Sequence, residues 1–219
     1  MADHPVADGI VEQALDGSAQ IRFVRRLPHP IDRVWEALTD PAQLRRWWGD
    51  TDLELTEGGR FALRWRNTDA DGNAATLEGA ISKLDPPRFL EISAIWGMTG
   101  TTDPGTPTTL TWELESAGDH TVLHFTNTLP SPTQDPSTAA GWHLHLDALA
   151  TTLAGGEVDI ANPEPLFDPI HKAYEAKYGS GGGDPAASGG DPEAAGGDSG
   201  ASNDDPGAAN AKPGVEEST

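Results

Sequence analysis

Residues 28–49, Pro-His-Pro-Ile-Asp-Arg-Val-Trp-Glu-Ala-Leu-Thr-Asp-Pro-Ala-Gln-Leu-Arg-Arg-Trp-Trp-Gly, leave this chain few folds to choose from, because they spell two short helices end to end. Pro30 suits a first helical turn, where its missing N–H removes no hydrogen bond. Ile31, Val34, Trp35 and Leu38 then fall on one apolar stripe. Asp40-Pro41 restarts the chain, with Asp40 as N-cap, Pro41 as first helical residue and Gln43 as the return partner of a capping box. Leu44, Trp47 and Trp48 give the second helix its buried face. A strand must precede this pair and a sheet must receive it.

Turn signals trace that sheet. Gly9 to Ala14 and Ala19 to Leu27 flank Asp16-Gly17, a hairpin signal, and Ile21, Phe23, Arg25 and Leu27 share one face of the second strand. Leu53 and Leu55 mark a short strand. Phe61, Leu63 and Trp65 then alternate with Arg60, Ala62, Arg64 and Arg66. Ala75 to Leu84, Phe89 to Trp96, the run Leu110, Trp112 and Leu114, and the run holding Leu123 and Phe125 read as further antiparallel strands. A loop rich in Gly, Thr and Pro spans Gly97 to Pro107. Asp135 as cap and Pro136 open a long helix in which Trp142, Leu146, Leu149 and Leu153 recur at helical spacing, and Gly155-Gly156 ends it. One long helix after a meander of strands buries its stripe by lying across the concave face of a curved sheet. A short amphipathic helix from Pro169 to Tyr178, with Ile170, Tyr174 and Tyr178, is expected on the outside.

The motif x-Pro-x-x-x-Val-Trp-x-Ala-Leu-Thr-Asp-Pro-x-x-Leu-x-x-Trp recurs to a family pattern together with Gly58-Gly59-Arg60-Phe61, Gly79-x-Ile81, Asp85-Pro86-Pro87-Arg88 and Gly141-Trp142-x-x-x-Leu146-x-x-Leu149. Over roughly residues 18 to 155 it resembles the START-like (SRPBCC) superfamily, in the branch similar to the C-terminal domain of the activator of heat-shock protein 90 ATPase. The resemblance implies an α+β helix-grip fold: a curved antiparallel β-sheet around a long C-terminal helix, two short helices after the first long strand, and a ligand cavity between helix and sheet. Members of the superfamily bind lipids, polyketides, hormones or protein partners, so the family names a kind of cavity and not its content.

Composition divides the chain into a flexible N-terminus (1–8), a folded domain (9–178) and a tail (179–219). The tail holds 11 of the 25 glycines and no aromatic residue, and its eight acidic residues against Lys212 alone give a net charge of −7. It cannot bury enough apolar surface to offset its ordering entropy and is expected to be disordered. The rest carries −14 of the chain's −21, which argues against nucleic acid and anionic membrane as partners. Cysteine is absent, so no disulfide or thiolate site exists. The first residues lack a basic region followed by an apolar run, and no stretch approaches a membrane span, so the cytoplasm is the expected location.

Seven Trp against two Tyr is the compositional oddity that bears on a cavity. Trp is large, rigid and carries one donor, which suits either a packed core or an apolar pocket wall. The candidate ligand-binding residues are Trp35, Phe61, Leu63, Trp65, Trp96, Trp112, Trp142, Leu146 and Leu149, with Arg25. Trp47 and Trp48 are expected to pin the second helix at the mouth. Arg25 shares an apolar face, so its guanidinium either pairs with an interior carboxylate or orients a ligand. His143 and His145 spell His-x-His, yet residues two apart on a helix point about 200° apart, so no metal site is expected. His143 and Asp147 are placed to pair on one helix face, and His124 is expected outside the sheet.

No P-loop or nucleophile elbow is present, and no motif calls for a cofactor. Glu78, Glu91, Glu113 and Arg25 are candidates for an acid/base cluster inside the sheet, though strand parity does not fix their sides. Three functional classes follow. The first is a binding module for a small hydrophobic or aromatic molecule, without defined catalysis. The second is a co-chaperone-like activator of heat-shock protein 90 ATPase, disfavoured because the strand at Ala19 starts too soon to leave room for those activators' N-terminal domain. The third is an enzyme of the polyketide-cyclase or lyase kind, in which the pocket itself orders a reactive substrate.

Overall fold

A computed structural model describes residues 8–13, 16–130 and 136–178. The acidic segment from residue 179 onward, the first seven residues and the expected helix cap Asp135 lie outside the described residues. Period-two alternation builds eight strands: β1 (Ile10–Gln13), β2 (Ala19–Leu27), β3 (Asp50–Leu53), β4 (Arg60–Arg64), β5 (Ala75–Asp85), β6 (Phe89–Met98), β7 (Thr106–Ala117) and β8 (His120–Leu129). Their order in the sheet is β1-β2-β8-β7-β6-β5-β4-β3, and every pairing is antiparallel. The sheet is therefore open, with β1 and β3 at its edges. Phe23 of β2 sits opposite Phe125 of β8, which brings the first long strand beside the last. Leu55, expected in β3, is exposed beyond its end, because the turn has begun with the Thr56 N–H donating to the Glu54 carbonyl at 2.8 Å.

Gly79 on β5 faces Ala94 on β6 so closely that a methyl group there would strike the Ser93 carbonyl, which accounts for glycine within this strand. The alternate residues Leu90, Ile92 and Ala94 of β6, Leu110, Trp112 and Leu114 of β7, and Leu123, Phe125 and Asn127 of β8 all turn to one buried face.

Four helices cover that face and its rim: α1 (Ile31–Thr39), α2 (Pro41–Trp47), α3 (Pro136–Leu153) and α4 (Glu164–Tyr178). Pro30 is the N-cap residue of α1 and so stands one place outside the expected first turn. Asp40 caps α2 as expected, accepting the Gln43 N–H at 3.0 Å. The return arm of the capping box does not form. Only Asp40 separates the two helices, so its N–H already donates to the Glu36 carbonyl of α1, and Gln43 Oε1 is left buried without a partner. Gly155 ends α3 at a φ of 84°, a conformation that favours glycine.

The last helix, α4, begins at Glu164, well before the expected Pro169. Its first turn is held by the Pro163 carbonyl, which accepts the Leu166 and Phe167 N–H groups at 3.0 and 2.8 Å. Phe167 stacks on His171 across Pro169, with ring centroids 5.3 Å apart. Ile170 and Tyr174 are buried, and the Tyr174 hydroxyl accepts the Gly9 N–H at 2.7 Å, fastening α4 to the start of β1. Burial pushes the Tyr174 phenol well above its usual range. Among the described residues no helix is long and apolar enough to cross a membrane.

Candidate ligand cavity

Beneath the N-terminal half of α3 a cavity of about 610 Å³ separates helix from sheet. From the sheet come Leu77 of β5, Trp96 of β6, Thr108 and Leu110 of β7 and Asn127 of β8, with Trp65 just past the end of β4. From α3 come Thr138, Gly141, Trp142 and His145, spaced as one helical face. Ile160 and Phe167 close the side toward α4. Among the described residues no Asp, Glu, Lys or Arg lines the cavity, in a chain that carries 35 acidic and 14 basic residues.

The polar atoms of the floor form a chain of internal hydrogen bonds. Trp142 Nε1 donates to Asn127 Oδ1 at 3.1 Å, and because an indole N–H can only donate, this contact fixes which end of the amide is oxygen. Asn127 Nδ2 then donates to Thr108 Oγ1 at 2.5 Å and to the Thr109 carbonyl at 3.4 Å, and the Thr108 hydroxyl donates to the Thr128 carbonyl at 3.3 Å. His145 is held the same way. Its Nδ1 lies 3.0 Å from the Trp47 carbonyl, so that nitrogen carries the proton, while Nε2 accepts from Trp65 Nε1 at 2.9 Å. Burial lowers the His145 pKa to about 4, against the partial support of the Trp47 carbonyl, so the ring is neutral near pH 7.

Of the residues expected to bind ligand, Trp65, Trp96 and Trp142 stand on the cavity wall. Trp96 hangs at the mouth, 44% exposed. Phe61, Leu63, Trp112, Leu146 and Leu149 are off the wall, fully packed in the core. The reason is Trp48. Expected at the mouth, it is instead buried at the centre of an aromatic hub, 5.4 Å from Trp47 and Trp142, 5.5 Å from Trp112 and 5.7 Å from Phe61 between ring centroids. That hub reaches α3 at Trp142, while Leu146, Leu149 and Leu153 farther along the helix are buried in the core, and the cavity is lined by α3 residues between Ser137 and His145. Trp35 packs half-buried on the core from α1, also away from the cavity.

Arg25 is likewise not on the wall. Its guanidinium pairs with Asp8 at 2.6 Å, approaches Asp147 at 3.7 Å and lies over the Phe23 ring. It belongs to a structural cluster with His143, whose Nε2 is 3.2 Å from Asp147 and whose Nδ1 is 3.2 Å from the Tyr174 hydroxyl. The expected pairing of His143 with Asp147 is thus present, with the ring buried where a solvated pair would be exposed. His143 and His145 engage different partners on different sides of α3. The proposed meeting of Glu78, Glu91, Glu113 and Arg25 inside the sheet does not occur: Glu78 and Glu113 are exposed, and Glu91 pairs with Lys83 at 3.1 Å on the outer face. His124 is part-exposed on that same outer face, 3.9 Å from Glu115.

Sequence reasoning missed His145, Asn127, Thr108 and Phe167. Asn127 was legible in principle, since it continues the inward parity of Leu123 and Phe125.

An open antiparallel sheet gripping one long helix over an internal cavity defines a helix-grip protein of the START-like class. Within it, the chain belongs to the family described as Activator of Hsp90 ATPase homolog 1-like protein, which matches residues 28–154. No curated protein matches the chain. Among solved structures it is similar to CalU16 from Micromonospora echinospora. The crystal structure of CalU16 is 27% identical, with 78% of this chain and 92% of that one covered and a TM-score of 0.55. The solution structure gives 26%, 82%, 97% and 0.59 in the same order. DynU16, a protein of the dynemicin biosynthetic locus, is 26% identical with a TM-score of 0.51, and the match covers 63% of this chain but only 48% of DynU16. A protein of unknown function from Enterococcus faecalis, EF2215, shares the fold at 20% identity and a TM-score of 0.56.

Proposed function

We propose that this protein binds a small hydrophobic or aromatic molecule in the cavity between α3 and the sheet, acting in the cytoplasm and without a reaction step of its own. The observation that carries this reading is the cavity itself. Its volume of about 610 Å³ falls in the range of roughly 300–1,000 Å³ typical of sites for drug-sized ligands. Its wall is built from indole and aliphatic side chains, with a few polar atoms that are already hydrogen-bonded. Among the described residues no carboxylate lines the cavity, which supports binding over an acid/base reaction of the cyclase kind. The place of DynU16 in a biosynthetic locus supports a secondary metabolite as the ligand.

Native mass spectrometry of the protein purified from its source tests the reading. A retained small molecule, displaced by denaturation, is the expected result. A protein that emerges empty, binds no member of an aromatic panel and stimulates the ATPase of heat-shock protein 90 would contradict it in favour of the co-chaperone class.

A further inference from the structure

The buried polar atoms of the cavity have a direction. The N–H groups of Trp65, Trp142 and His145, both amide hydrogens of Asn127 and the hydroxyl hydrogen of Thr108 are all donated to partners within the protein. What remains is lone pairs. Among the described residues Asn127 Oδ1 accepts from Trp142 alone and Thr108 Oγ1 from Asn127 alone, whereas each oxygen can accept twice. Thr106, Ser137, Thr138 and Asn67, the other polar side chains of the wall, are exposed or half-buried, where water competes for them. Among the described residues no cationic side chain lines the cavity to offset an anion, and neutral His145 has both nitrogens engaged.

We infer that the cavity selects an uncharged aromatic molecule that presents a hydroxyl or N–H donor to Asn127 or Thr108, and that it rejects the same skeleton carrying a carboxylate. This rests on the cavity being a ligand site. A donor would complete the coordination of one of these two buried oxygens. An ether oxygen there would face lone pairs with no hydrogen between, and a carboxylate would add the cost of burying an unpaired charge.

The test is calorimetric titration of the full chain with pyrene, 1-hydroxypyrene, 1-methoxypyrene and 1-pyrenecarboxylate. Expected is a roughly tenfold tighter binding of 1-hydroxypyrene than of 1-methoxypyrene, the factor a net hydrogen bond near the top of the usual range supplies, with the carboxylate weakest. In Thr108→Val, close in shape, one Asn127 N–H is released toward the cavity, so the preference for hydroxyl over methoxy shrinks or reverses. Wild-type measurements alone decide the matter if that variant fails to fold. Equal affinity for 1-hydroxypyrene and 1-methoxypyrene, or tightest binding of the carboxylate, would overturn the donor selectivity and leave the ligand-binding reading standing. No binding by any of the four would overturn both.

Discussion

His145 shows how burial fixes a proton. The folded protein keeps this imidazole neutral down to about pH 4, whereas an unperturbed histidine takes up its proton at 6.5. Between those values the unfolded chain binds more protons, so stability is lost as pH falls through the window and is flat above it. The full difference corresponds to about 3 kcal/mol. Because carboxylates also titrate at the acid end, the comparison that isolates the effect is with His145→Gln, which still offers an acceptor to Trp65. Chemical denaturation at pH 7, 6, 5 and 4 should show a steeper loss in the wild type than in the variant. Parallel curves would mean that His145 is protonated without penalty and that its bond to Trp65 is loose.

The capping of α2 sets an expectation for an element. Asp40 holds the Gln43 N–H and is the single residue between two helices. Asp40→Ala should cost about 1 kcal/mol, read from the denaturation midpoint. Asp40→Asn, which keeps the acceptor, should recover most of it. No loss in the alanine variant would show that α2 is held by the burial of Leu44, Trp47 and Trp48 alone.

Elements of this kind were legible in the sequence. Asp16-Gly17, the alternation of β2 and the two proline-marked helices each carry a local signal, and β2 runs from Ala19 to Leu27 as its pattern predicts. What was illegible is depth. Trp65, Trp112 and Trp142 all obey inward periodicity, yet Trp112 is packed solid while the other two face a void. Parity tells which side of a strand a residue takes but not how far the covering helix stands away. Trp48, at the end of α2 and remote in sequence, packs on Trp112 and Trp142, and no local pattern reports such a contact. The polar floor was missed for a related reason: Thr108, Asn127 and Trp142 meet only once β7, β8 and α3 are assembled.

For the molecule as a whole, the claim is that one half of the grip is core and the other half is a binding site. Gly141 lies on the wall, and a Cβ placed there would meet nothing within 4 Å. Glycine within a helix also costs about 0.5–1 kcal/mol relative to alanine. Cavity and core therefore respond differently to the same substitution. The direct measurement is titration of Gly141→Phe and wild type with 1-hydroxypyrene, with thermal midpoints taken alongside. A phenyl ring in the void is expected to abolish binding while the midpoint stays level or rises. Unchanged affinity at an unchanged midpoint would place the ligand elsewhere and contradict the account.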